Sequence, residues 1–179
     1  MPANLVVDWS STEDTRAVPS LQPVDAEFLD SAPFRVVTEV LVSAPIEACW
    51  SLLVDQASWP QWFDDMSTVE ANPWLWTEPG QTRQVTVNKL KVDEVAISLE
   101  PQREYAFSIT KWPLPIAKRA AEGVRLVDRT DGESPRTQLT YIGAFELTWF
   151  SKWLEPILQR RFNAAWGPAL QNLGALAGG

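Results

Sequence analysis

Between residues 34 and 42 the run Phe-Arg-Val-Val-Thr-Glu-Val-Leu-Val is β-rich, and alternation puts Phe34, Val36, Thr38, Val40 and Val42 on one face, which predicts a strand. Pro45 follows, suited to a first helical turn where its missing N–H costs nothing. Ile46, Cys49, Trp50 and Leu53 then recur at helical spacing, predicting a short helix that ends near Asp55. A Trp59-Pro60-Gln61-Trp62 turn closes the segment. Strand-like runs come next at 67–70, 82–89, 91–99, 104–111, 123–127 and 136–147, separated by Pro79-Gly80, Pro101, Pro113 with Pro115, and Asp131-Gly132. Such short connections predict an antiparallel meander. Beyond Thr148 the period changes, and Phe150, Leu154, Ile157, Phe162, Ala165, Ala169, Leu173 and Leu176 predict a long amphipathic helix. From Pro156 to Leu176 it would run roughly 30 Å at 1.5 Å per residue, with a kink expected at Pro168.

The first 33 residues break this regularity, being polar, acidic and punctuated by Pro19, Pro23 and Pro33, with one short helical candidate at 25–31. They read as an extension, either loose or pinned to the body by Leu5, Val6, Val7 and Trp9, ahead of one domain at 34–179. A chain of 179 residues is long enough to bury a core without disulfides or structural metal. Ten tryptophans exceed usual usage and require cores, interfaces or apolar pockets to hold them.

Charge and chemistry narrow the function classes. A net charge of −8 opposes sequence-independent attraction to nucleic acid and to anionic membranes, and it also keeps a Trp-rich chain soluble. The sequence contains no histidine, which excludes Ser-His-Asp and Cys-His chemistry and removes the commonest metal ligand. The lone Cys49 has no internal disulfide partner and reads as a small core residue. With no basic leader and no apolar run of membrane-spanning length, the expected location is cytoplasmic and stable membrane insertion is not expected. No cofactor or metal is expected either.

Several segments resemble one family. They are Val42-x-Ala44-Pro45-Ile46-Glu47-x-x-Trp50 with Asp55 and Trp59-Pro60-x-Trp62; Pro79-Gly80; Leu99-Glu100-Pro101 before Tyr105; Thr137-x-Leu139-Thr140-Tyr141; and Ala169-Leu170-x-x-Leu173. In order and spacing they resemble the SRPBCC or START-like superfamily, in its polyketide cyclase/dehydrase and lipid-transport branch, over residues 34–177. The resemblance implies an α+β helix-grip fold, a curved antiparallel sheet of six to seven strands around a long C-terminal helix, with a ligand cavity between them. It does not imply one activity, because carriers, cyclases and hormone-binding proteins share this architecture.

On that fold, strand alternation would turn Val85, Val87, Val95, Ile97, Tyr105, Phe107, Val124, Leu126, Tyr141 and Phe145 to the concave face. The helix would add Phe150, Trp153, Ile157, Arg161 and Phe162, with Trp62 near the mouth and Trp50 in the core. The ligand-contact candidates are Trp62, Val87, Ile97, Tyr105, Phe107, Val124, Leu126, Tyr141, Phe145, Trp153, Ile157, Arg161 and Phe162, each suited to a plain core as well. Without histidine, proton transfer would fall to Tyr105, Tyr141 or Arg161; Glu146 alternates outward, and the neighbours Asp93 and Glu94 point to opposite faces. Three functions are compatible: binding of a lipid, isoprenoid, quinone or aromatic polyketide; a cyclase/aromatase using the same cavity; or a module that docks a protein partner through Trp-rich loops.

Overall fold

The computed structural model describes residues 19–132 and 134–179; Leu5, Val6, Val7 and Trp9 lie outside them. Seven antiparallel strands form one sheet: β1 (Phe34–Val42), β2 (Met66–Asn72), β3 (Thr82–Val87), β4 (Leu90–Glu100), β5 (Glu104–Lys111), β6 (Ala117–Asp128) and β7 (Thr137–Leu147). Their order is β1-β7-β6-β5-β4-β3-β2, a meander except that β1 pairs with the last strand, Val36 opposite Gly143. Register shifts between Asp93 and Glu94 and between Ala96 and Ser98 interrupt the β4–β5 ladder, and such bulges strengthen local twist.

Helix α2 (Ile46–Val54) and α3 (Trp59–Trp62) join β1 to β2 through a single 3-10 turn at Gln56–Ser58. Asp55 starts that turn by accepting the Ala57 N–H at 3.0 Å. Helix α4 (Glu155–Ala177) covers the concave face of the sheet and continues through Pro168, preceded by a 3-10 segment at Trp149–Leu154. The convex face carries the short α1 (Phe28–Ser31), whose Phe28 and Leu29 pack with Ala106, Ala121, Ile142 and Ala144. Leu21 N–H donates to Thr110 carbonyl at 2.9 Å, so the described part of the N-terminal extension lies on the body.

Strand β6 begins six residues earlier than its apolar run suggests. Ala117, Ala120 and Ala121 have weak strand preference, but pairing with β7, and at Ala121 with β5 as well, overrides it. The β3–β4 hairpin turns on Asn88 and Lys89, both at positive φ (50° and 68°), the conformation a two-residue type I′ turn demands.

Close approach of α4 to β1 depends on Gly174. A Cβ there would overlap Val42 Cβ and Cγ1. The overlap costs about 1–3 kcal/mol, against a helix-propensity gain of about 1 kcal/mol. Gly174→Ala is therefore expected to lower the urea midpoint of unfolding, and a raised midpoint would contradict this packing.

Candidate functional site

Sheet and α4 do not fill the space between them. A cavity of about 770 Å³ remains, walled by Trp59, Phe63, Met66, Val87, Val92, Phe107, Ile109, Trp112, Ile116, Leu158, Phe162, Ala165 and Trp166. On α4 the spacing of Leu158, Phe162, Ala165 and Ala169 sets one face to the cavity. Its solvent-exposed members, Asp64, Asn88, Leu114, Arg161, Ala164 and Pro168, mark its mouth. Three buried charged residues, Arg83, Glu94 and Glu122, come to its inner end.

Arg83 organises that end. Its Nε donates to Glu94 Oε2 at 2.6 Å and its Nη1 to Gln56 Oε1 at 2.7 Å, while the guanidinium carbon lies 3.9 Å from the Trp59 ring centroid. Gln56 is held in turn by donating Nε2 to Val54 carbonyl at 2.8 Å, and it also accepts Tyr105 Oη at 3.3 Å. Arg83 Nη2 has no partner among the described residues, and neither has Tyr141 Oη in regular geometry. Burial without a partner costs each such group about 1–3 kcal/mol, so these atoms need an explanation beyond packing.

A permanently charged guanidinium at 2.6 Å keeps Glu94 in an ion pair, although burial pushes its carboxyl upward. Glu122 has no such partner. Burial and then repulsion by Glu94 push its pKa up to about 8, with Arg83 and Tyr141 pulling the other way. Burial and the facing Glu122 raise the Tyr141 phenol well above its ordinary range. Glu122 therefore carries its proton at neutral pH. Its ordinary pKa of 4.5 is lower than the folded one, so its contribution to stability is complete below about 4.5 and is lost as pH rises through about 8. Glu122→Gln is expected to flatten that loss in urea titrations at pH 6 and pH 9; an unchanged pH slope would contradict the assignment.

Among the residues expected at the site, Val87, Phe107, Arg161 and Phe162 border the cavity. Trp62 does not: it is fully buried in core, donating Nε1 to Ser58 Oγ at 3.2 Å, while Trp50 is only partly buried, the reverse of the expected division. Ile97 and Val95 lie out of phase, because β4 turns Val92, Glu94 and Ala96 inward and Ile97 packs on the convex cluster beneath α1. Val85, Tyr105, Val124, Leu126, Tyr141 and Phe145 are buried core rather than cavity wall, Tyr141 lying stacked on Trp166 at 4.0 Å. Phe150, Trp153 and Ile157 are exposed, because the 3-10 segment shifts the helical phase before α4 begins.

Tyr105, Tyr141 and Arg161 do not converge: Tyr105 is engaged by Gln56, Tyr141 stands behind Trp166, and Arg161 sits at the mouth. Asp93 faces away from Glu94, paired to Lys111 at 2.8 Å, and Glu146 pairs with Arg119 and Lys118 on the outside. Cys49 is fully buried, which raises its thiol pKa. Of the two neighbouring tryptophans Trp74 is exposed and Trp76 is buried, stacked on Tyr105. Reasoning from sequence missed Gln56, Arg83, Glu94 and Glu122. The one available signal was opposite charge at Arg83 and Glu94 across a tight hairpin, where the strands pair them directly.

No group of His, Cys, Asp and Glu among the described residues is arranged to hold a metal ion, and no described helix is long and apolar enough to cross a membrane. No curated protein matches the sequence. Solved structures do match in fold. The protein XoxI from Bacillus cereus superposes with a TM-score of 0.63 at 18% identity, covering 80% of this chain and 95% of that one. A START superfamily protein from Mycobacterium smegmatis gives 0.62 at 12% identity, covering 80% and 96%. The protein TTHA0849 from Thermus thermophilus gives 0.60 at 17%, covering 80% and 96%. The family model for polyketide cyclase / dehydrase and lipid transport matches residues 33–178, and with the helix-grip architecture already described, the chain belongs to that family.

Proposed function

We propose that this protein binds a hydrophobic small molecule, of the lipid, isoprenoid, quinone or aromatic polyketide class, between the sheet and α4. The observation that carries this reading is an apolar cavity of about 770 Å³ that opens at Arg161 and Leu114. Its volume falls within the range of about 300–1,000 Å³ typical of small-molecule sites. Burying an apolar ligand there gains roughly 25 cal/mol per Å² removed from water. Ala165 borders the cavity from the middle of α4, so Ala165→Phe places a ring in the space a ligand would fill. Native mass spectrometry after mild extraction is expected to show a bound apolar mass on the natural protein and its loss from Ala165→Phe. Equal retention by both would contradict the reading.

An enzymatic reading is favoured by one observation, the buried Glu122 carboxyl lining the closed end of the cavity with Arg83, where burial pushes its pKa up to about 8. A carboxyl that titrates near neutrality suits proton transfer to a bound carbonyl or enol. Under this reading Glu122→Gln abolishes conversion of a poly-β-keto analogue while leaving its binding intact; unchanged conversion would remove Glu122 from the chemistry.

A further inference from the structure

We propose that the inner end of the cavity selects an uncharged ligand bearing a hydrogen-bond-accepting oxygen, and discriminates against carboxylates of the same length. The inference rests on the binding reading above and adds to it the chemistry of the ligand's buried end. Two buried polar atoms lack a regular partner among the described residues where the apolar walls stop, Arg83 Nη2 and Tyr141 Oη, and the Glu122 carboxyl lines the cavity beside them. A single ligand oxygen with two lone pairs answers the two donors that border the cavity, the guanidinium N–H of Arg83 and the acid proton of Glu122.

Charge excludes the obvious competitor. Arg83 is already neutralised by Glu94 at 2.6 Å, and burial beside Glu94 favours the neutral form of Glu122, so the end has no positive charge left to offer. A carboxylate would arrive as an uncompensated charge beside the Glu94 carboxylate. Taking an ion out of water is far more costly than taking out a neutral carbonyl. The charged or titratable groups that act on Glu122 share in this balance: Arg83 from β3, Glu94 from β4 and Tyr141 from β7, while Asp64, Asp65 and Arg161 line the cavity elsewhere. Ionisation of Glu122 removes a donor and makes the end negative, so affinity for the neutral oxygen falls as pH rises.

Calorimetric titration of the full chain with 2-undecanone, undecanoate and undecane at pH 7 tests the selection. The ketone is expected to bind at least tenfold more tightly than either of the others. Undecanoate binding as tightly as the ketone would overturn the charge selection while leaving the cavity a ligand site, and undecane binding as tightly would overturn the role of the oxygen. Binding of none of the three would contradict both the selection and the underlying binding reading. Between pH 7 and pH 9 the natural protein is expected to lose about tenfold in ketone affinity, and Glu122→Gln to lose little. An equal loss in both would overturn the part assigned to Glu122.

Discussion

Replacing Arg83 by Met is expected to lower the free energy of unfolding by about 3–5 kcal/mol, the usual cost of leaving one member of a buried ion pair without the other. The side chain of Arg83 is fully inaccessible and that of Glu94 nearly so, which denies the stranded carboxylate any water in compensation. Gln56 Oε1 would keep only Tyr105 at 3.3 Å. Replacing both charges, as Arg83→Met with Glu94→Met, is expected to recover most of the loss, because the desolvation penalty goes with the charges. Urea unfolding of the two variants checks this. A single variant within about 1 kcal/mol of the natural protein, on the scale of ordinary surface substitutions of about 0.5 kcal/mol, would mean the pair is not buried as described.

Trp59→Ala is expected to cost a similar amount, about 3–5 kcal/mol, on the order of 10 °C in melting temperature for a chain of this size. Trp59 is fully buried and meets Trp62 at 4.5 Å, Tyr105 at 5.6 Å, Phe107 at 6.1 Å and Trp166 at 6.2 Å between ring centroids. It also donates Nε1 to the Leu53 carbonyl at 3.0 Å, tying α3 back to α2, and lies under the Arg83 guanidinium. Loss of the ring thus removes packing, a hydrogen bond and a cation–π contact together. Trp59→Phe retains most of the packing and is expected to lose less than half as much. Thermal melts of the two variants separate the contributions; equal melting of Trp59→Ala and the natural protein would contradict the placement of Trp59 at the centre of the core.

The fold was legible because its signals are periodic. Alternation in β1, the change to helical spacing after Thr148 and the turn residues between strands locate most elements to within a few residues. The site was less legible, for two physical reasons. Apolar residues carry no label for which face they occupy, so on β4 the apolar Val95 and Ile97 look inward-facing, whereas Val92, Glu94 and Ala96 are the buried positions and Ile97 packs on the convex cluster of Phe28 and Leu29. Buried charges read as solvated ones, so Arg83, Glu94 and Glu122 passed as ordinary surface positions when hydrogen bonds and burial in fact set them at the end of the cavity. The helix suffered a similar ambiguity: Phe150, Trp153 and Ile157 fit a continuous helical period, but the chain is 3-10 until Leu154 and those side chains face solvent.

Fluorescence offers the most direct test of a ligand-holding cavity, since Trp59, Trp112 and Trp166 all border it. Titration with quinones, flavonoids and long-chain ketones is expected to give saturable quenching at one ligand per chain, with affinity weakened at least tenfold in Ala165→Phe. Quenching that never saturates, or that is identical in the natural protein and Ala165→Phe, would contradict the account.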